Sequence, residues 1–119
     1  MRASLLAPSL VALVTVSACG TAVTPASPTP APAATVSYQG FKAVPATLET
    51  ARGAKVTWTN KDSTAHTITS GTSRQADGRF DSGNVAQNET FEFTFNDAGT
   101  FQYFCSNHTS MVGFQIVVR

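Results

Sequence analysis

A small all-β fold, a β-sandwich, is what this 119-residue sequence predicts. Three observations lead there. Phe, Val and Thr are plentiful, with eight phenylalanines, and such residues suit a pleated, half-buried surface. Short runs of alternating apolar and polar residues recur from Val36 to the C-terminal end. Turn signals carrying Gly, Asn and Asp separate those runs.

In order along the chain, Val36-Ser-Tyr38-Gln alternates and is broken at Gly40. Ala46 to Thr50 reads as a second strand. Val56-Thr-Trp58-Thr places Val56 and Trp58 on one face. After the polar turn Asn60 to Thr64, His66-Thr-Ile68-Thr predicts a strand that His66 begins. Gly71 to Gly83 is polar and glycine-containing and reads as a loop with room for one helical turn. Phe91-Glu-Phe93-Thr-Phe95 is the clearest strand, with three phenylalanines on one face. Asn96 to Gly99 is a turn, Phe101-Gln-Tyr103-Phe-Cys105 a further strand, and Phe114 to Val118 the last. Trp58, Phe91, Phe93 and Phe95 read as core.

The N-terminal part has a different texture. Arg2 and the mostly apolar stretch Leu5 to Val16 form a signal peptide, too short to span a bilayer comfortably. Val16-Ser-Ala-Cys19 resembles a bacterial lipoprotein cleavage box, which makes residues 1–18 the leader and Cys19 the lipidated first mature residue. Acyl chains would then hold the protein at a membrane surface without a spanning helix. The other reading is an ordinary secretory signal that happens to end near Cys19. Residues 19–35 carry Cys19 and a Pro, Ala, Thr and Ser-rich linker that cannot bury enough apolar surface to fold. Extended as polyproline II, the sixteen residues from Gly20 to Thr35 would reach about 50 Å. Residues 36–119 form the folded domain. It is small for a stable core, so a bound metal would help it.

Charge narrows the partners. Only 13% of residues are charged and the formal net charge is +1, with no long basic run. Nothing here points to nucleic acid, and no single-sign patch marks a charged surface.

Chemistry concentrates in Cys105-Ser-Asn-His108-Thr-Ser-Met111, with His66 brought in from upstream by the fold. A thiolate, two imidazoles and a thioether are the ligand set of a mononuclear copper site that cycles between Cu(I) and Cu(II). Each residue taken alone has a plainer reading: Cys105 a small buried apolar residue, His108 a surface histidine, Met111 core filler, His66 a polar strand end. The folded segment holds two histidines, one cysteine and one methionine, and all four fall in the pattern. A free cysteine in an exported chain is unusual unless something occupies it.

Val56-Thr-Trp58-Thr-Asn60, His66, Phe80-Asp-Ser-Gly83, Glu89-Thr-Phe91, Gly99-Thr-Phe-Gln-Tyr103-Phe-Cys105, His108, Met111 and Gly113 together resemble the plastocyanin and amicyanin family of cupredoxins. The resemblance spans nearly all of residues 36–119, and the Cys-x₂-His-x₂-Met spacing is similar to the short amicyanin loop. It implies a Greek-key β-sandwich, one type 1 copper ion and one-electron transfer. Carried over by position, His66 and His108 supply nitrogens, Cys105 the thiolate and Met111 the axial sulfur. Three positions depart from the pattern. Thr67 stands where the family often has an asparagine that braces the cysteine loop, so Thr67 must brace it differently. Asn107 stands where a proline often precedes the second histidine, and its backbone N–H is free to point at the Cys105 sulfur. Asn88 replaces a frequent glycine, which concerns turn geometry.

Other readings compete. Cys19 and Cys105 could pair as a disulfide, which lipidation of Cys19 would forbid. Tyr103, two residues before Cys105, resembles the tyrosine corner of an immunoglobulin-like domain, but no partner cysteine lies in the folded segment. An enzyme with Cys105 as nucleophile and His108 as base lacks an adjoining acid and a substrate motif. The expected protein is therefore no enzyme. It is a monomeric, membrane-anchored electron carrier outside the cytoplasm, in the periplasm or beyond. It would meet a redox donor and an acceptor transiently near His108. A copper storage or delivery protein with the same ligands is the alternative.

Overall fold

The computed structural model describes residues 33–119, together with Gly20 and Pro25. Residues 1–19, expected to be a signal peptide and lipidated Cys19, and most of the expected linker lie outside the described residues. Nine strands follow in order: β1 Ala34–Tyr38, β2 Ala43–Val44, β3 Thr47–Thr50, β4 Ala54–Asn60, β5 Thr69–Thr72, β6 Gln75–Asp81, β7 Thr90–Phe95, β8 Gly99–Phe104 and β9 Phe114–Val118. Among the described residues no helix is long and apolar enough to cross a membrane.

The strands form two sheets, one ordered β2-β1-β4-β7 and the other β3-β9-β8-β5-β6. Two pairings are parallel, β1 with β4 and β3 with β9, and the rest are antiparallel. The chain crosses between sheets five times, from β2 to β3, β3 to β4, β4 to β5, β6 to β7 and β7 to β8, as a Greek-key sandwich requires. Alternation builds the core. In β4, Ala54, Val56, Trp58 and Asn60 point inward, and in β9 Phe114, Ile116 and Val118 do the same. Register sets Val56 opposite Phe93 and Trp58 opposite Phe91, so two apolar rows face the second sheet together. Trp58 is fully buried, with Phe80, Phe91, Phe95 and Tyr103 ringed round it at centroid distances of 5.6–6.3 Å.

Two sequence expectations are corrected. Gly71 to Gly83 is no loop: β5 and β6 form a hairpin there, with a register shift between Thr69 and Gly71. The tip turns through Ser73 and Arg74, both with positive φ. Gly71, at φ 145°, must lack a side chain, because a Cβ would lie 1.9 Å from the Gln75 carbonyl oxygen. His66 does not begin a strand either. It makes one isolated bridge to Val85, and β5 starts three residues later at Thr69. The short strand β2 was also not foreseen.

The sandwich has two poles. β1 runs from Ala34, opposite Val56, to Tyr38, whose ring meets that of His66 edge-on at 5.3 Å. At the far pole Arg119 bonds to Thr50 and Arg52 through its backbone. The near pole gathers the β4–β5 segment, the β8–β9 loop and the tip of the β5–β6 hairpin.

Candidate metal centre

Cys105 follows directly after β8, so the last strand residues fix its position. Its N–H donates to the Met111 carbonyl (2.9 Å) and the Met111 N–H donates to the His108 carbonyl (3.2 Å). These bonds fold the loop Cys105–Met111 back on itself. His66 enters from the other sheet connection, with its N–H on the Val85 carbonyl (3.1 Å) and the Val85 N–H on its own carbonyl (2.8 Å).

Three donor atoms meet. His66 Nδ1 lies 3.1 Å from His108 Nδ1. Cys105 Sγ lies 3.8 Å from the first nitrogen and 3.5 Å from the second. A point common to such a triangle lies about 2 Å from each corner, which is the length of a first-row metal's bond to imidazole or thiolate. Cys105 and His66 are fully buried, and Cys105 is free of any disulfide among the described residues. Met111, the fourth residue expected from the sequence, is fully buried in the core cluster on the same loop.

The surrounding bonds prepare these donors. Asp62 Oδ2 lies 2.9 Å from His66 Nε2. A carboxylate can only accept there, so Nε2 carries the proton and Nδ1 turns a lone pair toward the other donors. The same carboxylate accepts N–H bonds from Gly40 (2.7 Å) and Phe41 (2.9 Å). Burial pushes the Asp62 carboxyl up, but the bonds from Phe41, His66 and Gly40 outweigh it and hold the group below the usual carboxylate range. Asp62 is itself aimed by an Asx turn, its N–H on Asn60 Oδ1.

Thr67 braces the cysteine loop in the asparagine's place. Its N–H reaches Cys105 Sγ at 3.3 Å, and its Oγ1 accepts the Ser106 N–H at 2.8 Å. The expectation for Asn107 is corrected here. Among the described residues the N–H that meets the sulfur is that of Thr67, while Asn107 works through its side chain, which donates to Ala65 O and Asn84 Oδ1.

Two further residues were not legible beforehand. Phe41, held at φ 60°, sets its ring edge-on to both His66 (5.3 Å) and His108 (5.0 Å). Arg74 donates from the hairpin tip to backbone carbonyls of Cys105, Ser106 and His108. The Gly40-Phe41 break hinted at an unusual turn, but nothing in the sequence tied either residue to the cluster.

One sulfur and two imidazole nitrogens, from buried Cys105 and His66 and half-buried His108, meet at one pole of a two-sheet sandwich and make a mononuclear soft-metal centre. The description "copper binding proteins, plastocyanin/azurin family" matches residues 32–119, and the chain belongs to that family. Copper is thus the metal that His66, Cys105 and His108 are positioned to bind. Among solved structures, the purple cupredoxin from Nitrosopumilus maritimus is similar at 30% identity and a TM-score of 0.66, over 72% of this chain and 99% of that one. Amicyanin, as a reduced Cu(I) form of a point mutant at pH 4, is similar at 25% identity and a TM-score of 0.64, over 73% of this chain and 82% of that one. The oxidised state of another amicyanin mutant gives the same values. No curated protein matches the chain.

Proposed function

We propose that this protein is a one-electron carrier whose single type 1 copper ion would be held by His66 Nδ1, Cys105 Sγ and His108 Nδ1, with the Met111 thioether as a weaker fourth ligand. The observation that carries this reading is the closed triangle of two imidazole nitrogens and one buried sulfur. Bound copper would supply a Cu(I)/Cu(II) couple with little change of shape.

The chain's own residues do the rest. Thr67 N–H withdraws charge from the Cys105 sulfur, which favours the reduced state. Asp62, Val85 and Thr67 hold the donors through bonds that do not depend on oxidation state, so few atoms need move with the electron. His108 is the more exposed of the two histidines, and the exposed apolar residues Phe41 and Val112 give its pole a rim. The electron would enter and leave there, through small transient contacts with a donor and an acceptor.

The domain, residues 36–119, would work as a monomer outside the cytoplasm, at the outer face of a bacterial membrane. Residues 1–18 would serve as lipoprotein signal, and residues 19–35 as lipidated Cys19 and tether. Copper loading with optical and paramagnetic resonance spectra tests the metal reading. An intense thiolate-to-copper band and reversible one-electron reduction are expected. A protein that refuses copper, or stays colourless when oxidised, overturns the proposal. Radiolabelled lipid incorporation into wild type but not Cys19→Ser tests the anchor.

A further inference from the structure

The β5–β6 hairpin closes through a two-residue turn, Ser73-Arg74, of the kind whose left-handed backbone suits the twist of the flanking strands. Ser73 (φ 49°) and Arg74 (φ 62°) both occupy the left-handed region, without a glycine between them. The turn swings the Arg74 side chain over the Phe104 ring, 5.9 Å from its centroid, and toward the loop after β8. There one Nη1 donates to Cys105 O (3.3 Å) and His108 O (3.0 Å), and Nη2 donates to Ser106 O (2.9 Å). One planar fork therefore spans three carbonyls within four residues, and two of them belong to donor residues of the metal centre. That segment has no strand partner, and apart from Arg74 it is held by the Cys105–Met111 backbone bond, by Thr67 and by the Asn107 side chain. Among the described residues no carboxylate pairs with Arg74.

We infer that Arg74 is a positioning residue for the metal centre: its guanidinium holds Cys105–His108 in the ligating shape before metal arrives, and its fixed charge favours the reduced, less positive state. The inference rests on the copper reading given above. A guanidinium is suited to both tasks, being always charged and offering several donors in a rigid plane, whereas an ammonium is a point charge on a flexible stem.

The test compares wild type with Arg74→Lys, which keeps the charge without the fork, and Arg74→Met, which loses both. Amide hydrogen exchange is first read in the metal-free protein at Ser106 and Met111, both hydrogen-bonded at this loop. Exchange at Val56 and Phe93, in the middle of β4 and β7, reports whether the fold is kept. Both variants should exchange about tenfold faster at the loop with β4 and β7 unchanged. After copper loading, the reduction equilibrium of Arg74→Lys should stay within about twofold of wild type, and that of Arg74→Met should shift severalfold toward the oxidised form, tenfold being about 59 mV for one electron. Loop exchange that matches wild type, or acceleration spread equally over β4 and β7, overturns the positioning role. Equal potentials for Arg74→Met and wild type overturn the electrostatic role. A wild type that takes no copper sinks the metal reading instead, while exchange in the metal-free protein still decides the clamp.

Discussion

Asp62 shows how much one side chain can organise. Its two oxygens accept from Gly40, Phe41 and His66, so the same carboxylate fixes an aromatic ring over the site and the tautomer of a ligand. Removing such a partner of a metal-ligating histidine costs about 10–100-fold in metal affinity. Asp62→Ala should therefore weaken copper binding by about that factor in competition titrations, while Asp62→Asn, which keeps an acceptor oxygen, should lose less. Phe41 covers both imidazoles, so Phe41→Ala should speed the reaction of the metal-free Cys105 thiol with a bulky disulfide reagent, followed by absorbance. His66, Cys105 and His108, whose donor atoms meet, could be read from side-chain chemistry and spacing. Asp62 could not, because its role depends on Gly40 and Phe41, more than twenty positions upstream, folding onto it. Arg74 was hidden for a related reason: a guanidinium bound to backbone carbonyls leaves no complementary residue type in the sequence.

Strands whose sequence alternates apolar and polar residues were legible, and β5 and β6, which lack that alternation, were not. β4 and β9 bury alternate residues; β9 was anticipated in full and β4 over its middle, Val56 to Thr59. In β6 only Phe80 is buried, so Gln75-Ala-Asp-Gly-Arg-Phe-Asp81 carries no period-two signal although its backbone pairs with β5. Edge position is the cause, since β6 faces water on most of its length. The hairpin tolerates little change where its strands touch. Gly71→Ala drives a methyl against the Gln75 carbonyl and should cost about 1–3 kcal/mol or more in urea unfolding, the range for overpacking. Acid should loosen the same hairpin. Burial raises the Asp77 carboxyl, but bonds from Ser70 and the Arg79 N–H, with the Arg79 charge, outweigh that and hold it below its ordinary 3.8. A lowered folded value contributes stability above the unfolded value and loses it as pH falls through the folded one. Wild type should thus lose stability as pH falls through and below the ordinary carboxylate range, and Asp77→Asn should lose less, as urea midpoints would show.

For the whole molecule, a small domain with one aromatic-centred core has little surplus stability, and ligands that bind only the folded state add to it. Copper at a thousandfold over its dissociation constant would add about 4 kcal/mol. Scanning calorimetry should then show the melting temperature falling by about 15 °C or more when the metal is stripped, since 1 kcal/mol moves a domain of this size by about 4–8 °C. The placement of the two described ends has a practical reach. Ala34 and Arg119 sit together at the pole away from the histidines, a strand length of about 17 Å from them. A reporter fused after Arg119, or joined directly before Ala34, leaves the opposite face of the domain unobstructed. Molecules seated on an electrode by an end would point their electroactive tip into solution, exchanging slowly with the metal beneath them and freely with a dissolved mediator.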